Sequence, residues 1–162
     1  MGSRAMGYRI IAIDHPSKKD LCLSSGAEHF ISHTDTPDLA AAVNALTDGL
    51  GAQAVLVLTA ANPAYASGMQ VLKFGGTLVC VGLPEGALTP IATAFPQVMI
   101  AKEQRIVGSA VGNRREAIET LDLAARGIIK THFTTCKMDE LTKTFEAMDK
   151  GQIQGRVVLD LQ

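Results

Sequence analysis

Short aliphatic and β-branched runs return along this chain, separated by helix-length segments, and that alternation restricts the fold more than any other feature. Residues 8–14 (YRIIAID), 28–32 (EHFIS), 54–58 (AVLVL), 77–81 (TLVCV), 105–108 (RIVG) and 156–161 (RVVLDL) read as strands, and 133–136 is a further, shorter candidate. The AVLVL run has no polar interruption, as expected of a parallel strand covered on both faces. Between the strands, residues 16–25 stop at Gly26, 37–46 open with Pro37 at an N1-like position, and a helix from Asn62 and Pro63 runs to about Lys73. Phe74, Gly75 and Gly76 then predict a turn. Helical stretches follow around 97–103, 115–126 before Gly127, and 139–150 with Gly151 as the cap. Strands and helices in this order require crossover connections, so the class is α/β with a mostly parallel, doubly wound sheet.

A chain of 162 residues with 47% hydrophobic content fits one domain, 1–162, better than two. Fifteen Lys and Arg against 16 Asp and Glu leave a net charge of -1, which supplies no field for nucleic acid. No run approaches the roughly 18 to 20 apolar residues of a membrane helix, so neither a membrane nor a nucleic acid is an expected partner. Cys22, Cys80 and Cys136 are far apart and read as reduced thiols, so the expected location is cytoplasmic. His15, His29, His33 and His132 add no ligand spacing; His29 and His33 straddle a strand, where an i, i+4 interval does not converge. No metal site is expected.

Four segments resemble the zinc-dependent alcohol dehydrogenases of the medium-chain dehydrogenase/reductase family, in particular the yeast type. They are AMGYRIIAID (5–14), KFGGTLVCVGLPEG (73–86), RIVGSAVGNRREAIETLDLAARGIIK (105–130) and MDKGQIQGRVVLD (148–160). The resemblance runs from Arg4 to Leu161 and identifies the chain as similar to the C-terminal, nucleotide-binding portion. It implies that Asp14 takes the adenosine ribose hydroxyls and favours NAD over NADP, with Lys19 a second contact on that side. It also implies that Gly82 and Leu83 offer backbone to the nicotinamide carboxamide and that Arg156 approaches the cofactor phosphates.

The same comparison of residues marks what this sequence does not contain. No G-x-G-x-x-G follows a strand, and the zinc ligands of the family belong to a separate N-terminal domain. The expectation is therefore a truncated Rossmann-like sheet lacking its usual first strand, with no zinc and no cofactor, or NAD held weakly. That first strand is central in the 3-2-1-4-5-6 order. Its loss requires the YRIIAID and AVLVL strands to pair directly, another chain to insert a strand, or the sheet to be rebuilt, and a homodimer or higher assembly is expected.

Three functions remain open on this footing. The first is a small-molecule enzyme running redox-neutral acid/base chemistry (cyclisation, isomerisation or elimination) with Asp14, His15 and Glu85 at strand ends moving protons. The second is the NAD-binding half of an alcohol dehydrogenase that needs a separate catalytic domain. The third is a non-catalytic interaction module.

Overall fold

The computed structural model describes residues 2–161. In chain order its elements are α1 (Gly2–Ala5), β1 (Ile11–Asp14), α2 (Lys19–Ser24), β2 (His29–Ser32), α3 (Leu39–Ala45), β3 (Ala52–Val57) and α4 (Asn62–Gln70). Then come β4 (Leu72–Cys80), α5 (Pro96–Lys102), β5 (Arg105–Gly108), α6 (Arg114–Ala125), β6 (Phe133–Lys137), α7 (Leu141–Asp149) and β7 (Arg156–Asp160). Single 3-10 turns at Pro16–Lys18 and Met138–Glu140 lead into α2 and α7. Every ladder is parallel, so the class read from the alternation holds. The chain divides into two compact units, Met1–Ser32 with Arg114–Gln162, and His33–Asn113.

The second unit contains the three-stranded sheet β3-β4-β5 and nearly all of the buried apolar side chains. Val57, Tyr65, Met69, Leu72 and Leu78 form its core, with Val55, Ala64, Cys80, Ile91, Met99 and Ile106 packed around them. Helix α4 lies close on this sheet because Gly68 has no side chain: a Cβ there would stand 2.7 Å from Leu78 Cδ1 and 3.3 Å from Val55 Cγ1. The turn expected at Phe74 to Gly76 is instead an irregularity inside β4, where the register jumps from Ala52 opposite Leu72 to Ala54 opposite Thr77. Gln104 is buried, its amide nitrogen 3.4 Å from Leu72 O and 3.5 Å from Met69 O.

One expectation about this sheet is corrected. Alternate residues of a strand face opposite ways, and only the side bearing Val55 and Val57 meets α4. Leu56 and Leu58, facing the other way, are 53% and 71% exposed, so the AVLVL run is covered on one face and not on both. Its continuous hydrophobicity records a second face that no described residue buries.

The first unit holds two separate ladders, β1-β2 and β6-β7. Ile31 is its buried hydrophobic among the described residues, while Ile13, Leu121, Phe133, Phe145 and Val158 are exposed. The start of the β1-β2 ladder is closed by charge: Arg9 donates from Nε and Nη2 to the Glu28 carboxylate at 3.2 and 3.0 Å, and His29 Nε2 lies 3.5 Å from the same group. The 3-10 turn after β1 is tied to the segment before β7, since Lys18 Nζ donates to Ile153 O and Gln154 Nε2 donates to Ser17 O at 3.0 Å.

The doubly wound sheet therefore occurs as three separate parallel ladders among the described residues. β1 pairs with β2 alone and β3 with β4 alone.

Two outcomes follow. Leu78 is fully buried, so Leu78→Ala should lower unfolding free energy by about 2–5 kcal/mol in a urea titration. The Glu28 carboxyl is held below its ordinary value chiefly by the hydrogen bonds from Arg9, with the Arg9, His29 and Arg4 charges acting the same way against some desolvation. A depressed folded-state value gives stability that is present above the unfolded value of 4.5 and is lost as pH falls through the folded one. Thermal melting of Arg9→Met should accordingly lie below wild type at pH 7 and converge with it as acidification carries the Glu28 carboxyl through its lowered folded-state value.

Candidate functional site

In the first unit, chain direction changes sharply at the C-terminal end of β1. Asp14 Oδ1 accepts from His15 N at 2.7 Å, and Pro16, whose ring fixes φ, starts the 3-10 turn. His15 caps that turn: its Nδ1 accepts from Ser17 N at 3.3 Å and stands 2.9 Å from Ser17 Oγ. Asp14 is thus an exposed carboxylate at a strand end, with one oxygen occupied by the backbone it orients. Its charge reaches Cys22, whose thiol is pushed up first by burial and then by Asp14, with Lys18 opposing.

Lys19 opens α2 and is exposed, as is Arg156 at the start of β7, whose backbone N donates to His132 O at 2.9 Å. The lysine with a defined tertiary partner is Lys18, one residue earlier than the one the resemblance selects. Nothing in a Lys-Lys pair distinguishes them. Only the distant Ile153 carbonyl does.

In the second unit, the loop after β4 is held from two directions. Val81 N and Gly82 N both donate to Val57 O, at 3.2 and 2.8 Å, which docks the end of β4 on the end of β3. A Cβ on Gly82 would stand 2.2 Å from Thr59 O, so only glycine permits this approach. From the other side Tyr65 donates its hydroxyl to Gly82 O. Leu83, next in the chain, is 85% exposed, and Glu85 is exposed further along the loop. The role of Tyr65 was not foreseen, although an aromatic in the Ala- and Gly-containing stretch PAYASG is a burial signal and a buried phenol needs an acceptor.

The expected residues therefore fall into two groups. Asp14, His15, Lys19 and Arg156 belong to the first unit, and Gly82, Leu83 and Glu85 to the second. Two clefts are formed by other residues. One of about 480 Å³ is lined by Arg4, Ser24, Ser25, Gly26, Ile128 and Lys130, and one of about 240 Å³ by Cys136, Lys143, Thr144, Ile153 and Val157 among others. Among the described residues no three His, Cys, Asp or Glu side chains gather as a metal ion would need, so these residues do not fit a zinc ion. No helix is long and apolar enough to cross a membrane, again among the described residues.

Against known proteins, residues 1–126 match the zinc-binding dehydrogenase family. The chain belongs to that family. It is 49% identical over 168 residues to alcohol dehydrogenase 2 of Emericella nidulans, covering 99% of this chain and 46% of that protein. It is 35% identical over 158 residues to alcohol dehydrogenase 2 of Caenorhabditis elegans, covering 98% and 44%. Among solved structures, the alcohol dehydrogenase of the archaeon Aeropyrum pernix superposes with a TM-score of 0.80 at 29% identity, covering 93% of this chain and 42% of that one. A structure described as an NAD-dependent alcohol dehydrogenase reaches a TM-score of 0.86 at 20% identity, covering 98% and 46%, and supports the fold alone. The chain thus spans about half the length of the curated relatives it matches.

The docking at Gly82 is open to test. Gly82→Ala should force β4 away from Thr59 and lower the melting temperature by several degrees, whereas Gly86→Ala, with no atom within 4 Å of its Cβ position, should cost only the strain of its positive φ.

Proposed function

We propose that this chain is the nicotinamide-dinucleotide-binding half of an alcohol dehydrogenase and that it acts together with a zinc-bearing catalytic half. The observation that supports this most is family membership across residues 1–126 combined with an exposed Asp14 carboxylate at the C-terminal end of a parallel strand. NAD, when bound, supplies the hydride acceptor. Asp14 accepts hydrogen bonds from the adenosine ribose diol and repels a 2'-phosphate, and Lys19 adds a contact on that side. The backbone at Gly82 and Leu83 meets the nicotinamide carboxamide, and Arg156 neutralises phosphate charge. The pyrophosphate cradle and the zinc ligands, which this sequence does not contain, come from the catalytic half. A cytoplasmic location and a homodimer or higher assembly accompany this reading.

The redox-neutral alternative draws less support. It needs Asp14, His15 and Glu85 as proton carriers. His15 Nδ1 accepts from Ser17 N in capping its own turn, and Glu85 is an exposed residue of the loop after β4.

Calorimetric titration with NADH, on the chain alone and mixed with the N-terminal half of Emericella nidulans alcohol dehydrogenase 2, tests the proposal. Saturable binding is expected in the mixture and little or none in the chain alone. Asp14→Ala in the mixture should weaken NADH by about tenfold or more, the loss of a charged hydrogen-bond acceptor, and narrow the preference over NADPH. Equal NADH affinity in wild type and Asp14→Ala would remove Asp14 from the site.

A further inference from the structure

We propose that the cleft bordered by Arg4, Ser25, Gly26 and Lys130 is a binding site for a small phosphate-bearing anion, separate from the dinucleotide site and independent of it. Its volume of about 480 Å³ lies within the range of roughly 300–1,000 Å³ usual for small-molecule sites, and its whole lining belongs to the first unit. That lining carries two cationic side chains, two serine hydroxyls and no carboxylate. Over a chain of net charge -1, such a grouping is a local feature and not part of a general positive field. Its place in the fold sets it apart from Asp14. Arg4 precedes β1, Ser24 to Gly26 lead from α2 to β2, and Gly127 to Lys130 lead from α6 to β6. The cleft is therefore built by segments that enter strands, whereas Asp14 stands where β1 ends, and β1 itself is about 10 Å long. Open α/β sheets take their main ligand at the carboxyl ends of strands, so an anion in this cleft is a second ligand.

Arg4 carries the argument. Its stem lies across Gly26, where a Cβ would stand 3.1 Å from Arg4 Cδ and 3.8 Å from Arg4 Cβ, and the φ of 99° at that position also selects glycine. The stem is thus seated, while the guanidinium forms no hydrogen bond or ion pair among the described residues. Its charge reaches Glu28, but that carboxylate is already held by Arg9 at 3.0 Å. The Ser25 hydroxyl likewise has no partner among the described residues, whereas Ser24 donates its own to Leu21 O at 3.1 Å. Carbonyls at the adjoining helix ends, which would oppose an anion, are engaged. Leu21 O and Leu23 O accept from Ser25 N and Gly26 N at 3.0 and 2.9 Å, and Asp122 O and Ala124 O accept from Arg126 N and Gly127 N at 3.0 and 2.9 Å. A guanidinium offers two parallel N–H donors to two phosphate oxygens, Lys130 adds its charge, and the Ser25 hydroxyl suits a third oxygen. A carboxylate, with two oxygens and one charge, uses fewer of these groups.

Titration of the chain with glycerol 2-phosphate, followed by calorimetry and by amide shifts in two-dimensional NMR, tests the proposal. Saturable binding is expected, with the amides of Ser24 to Gly26 and Gly127 to Lys130 shifting and those around Asp14 unmoved. Inorganic phosphate should compete, and acetate at equal ionic strength should not. Arg4→Gln should weaken binding about tenfold or more, the loss of a charge-assisted pair, and Ser25→Ala by less. Lys102→Gln, which removes an equal charge from an exposed position of the second unit, should leave the affinity unchanged. The competition and shift measurements use wild-type chain, so they decide the matter even if a variant folds poorly. No saturable binding, or equal competition by acetate, would overturn the proposal. So would equal affinity in Arg4→Gln and wild type, and a lower melting point of Arg4→Gln with no phosphate bound by wild type would make Arg4 a counter-charge for helix ends alone. Shifts centred on Asp14 would assign the phosphate to the dinucleotide site and overturn it as well.

Discussion

A parallel strand in the middle of a sheet is satisfied only when both of its edges are paired and both of its faces covered, and two strands of this chain meet neither condition. Among the described residues β1 is bonded to β2 alone and β3 to β4 alone. Leu56 and Leu58 of the AVLVL run remain exposed on the face away from α4. Open edges expose backbone donors and acceptors, and an apolar face without a cover forfeits burial at about 25 cal/mol per Å². Among the described residues burial is concentrated in the second unit, around Leu78, while Ile31 is the buried hydrophobic of the first.

The strand and helix pattern was legible because each element is locally consistent: Pro63 stands at the start of α4, Gly127 and Gly151 follow helix ends, and the aliphatic runs lie between them, whereas Pro37, expected at N1, lies one residue before Asp38, whose side chain caps α3. The observed bounds differ by a few residues, as at β1, which begins at Ile11. Phe74 to Gly76 misled because two adjacent glycines signal a turn in isolation, whereas here the partner strand absorbs them as an irregularity. AVLVL misled for the opposite reason. Its composition specifies two covered faces, and composition says nothing of which chain supplies the cover.

At the candidate site, the residues selected by resemblance proved readable as positions and not as contacts. Asp14 does end its strand, and Gly82 does stand where the backbone must approach closely. The tie of Lys18 to Ile153 O, and Tyr65 beneath Gly82, depend on partners 135 and 17 residues away in sequence, beyond the reach of any local spacing rule. His15 illustrates the converse. Its ring caps the turn that Pro16 begins, a contact that lies within two residues of it.

We propose that the open edges of β1 and β3 become paired when the chain meets a catalytic half. Hydrogen–deuterium exchange across β1 and β3, followed as the N-terminal half of a related alcohol dehydrogenase is added, tests it most directly. The account predicts that amides of both strands become protected together, in proportion to the complementing half. Unchanged exchange in both strands, with the two halves present at saturating concentration, would contradict it.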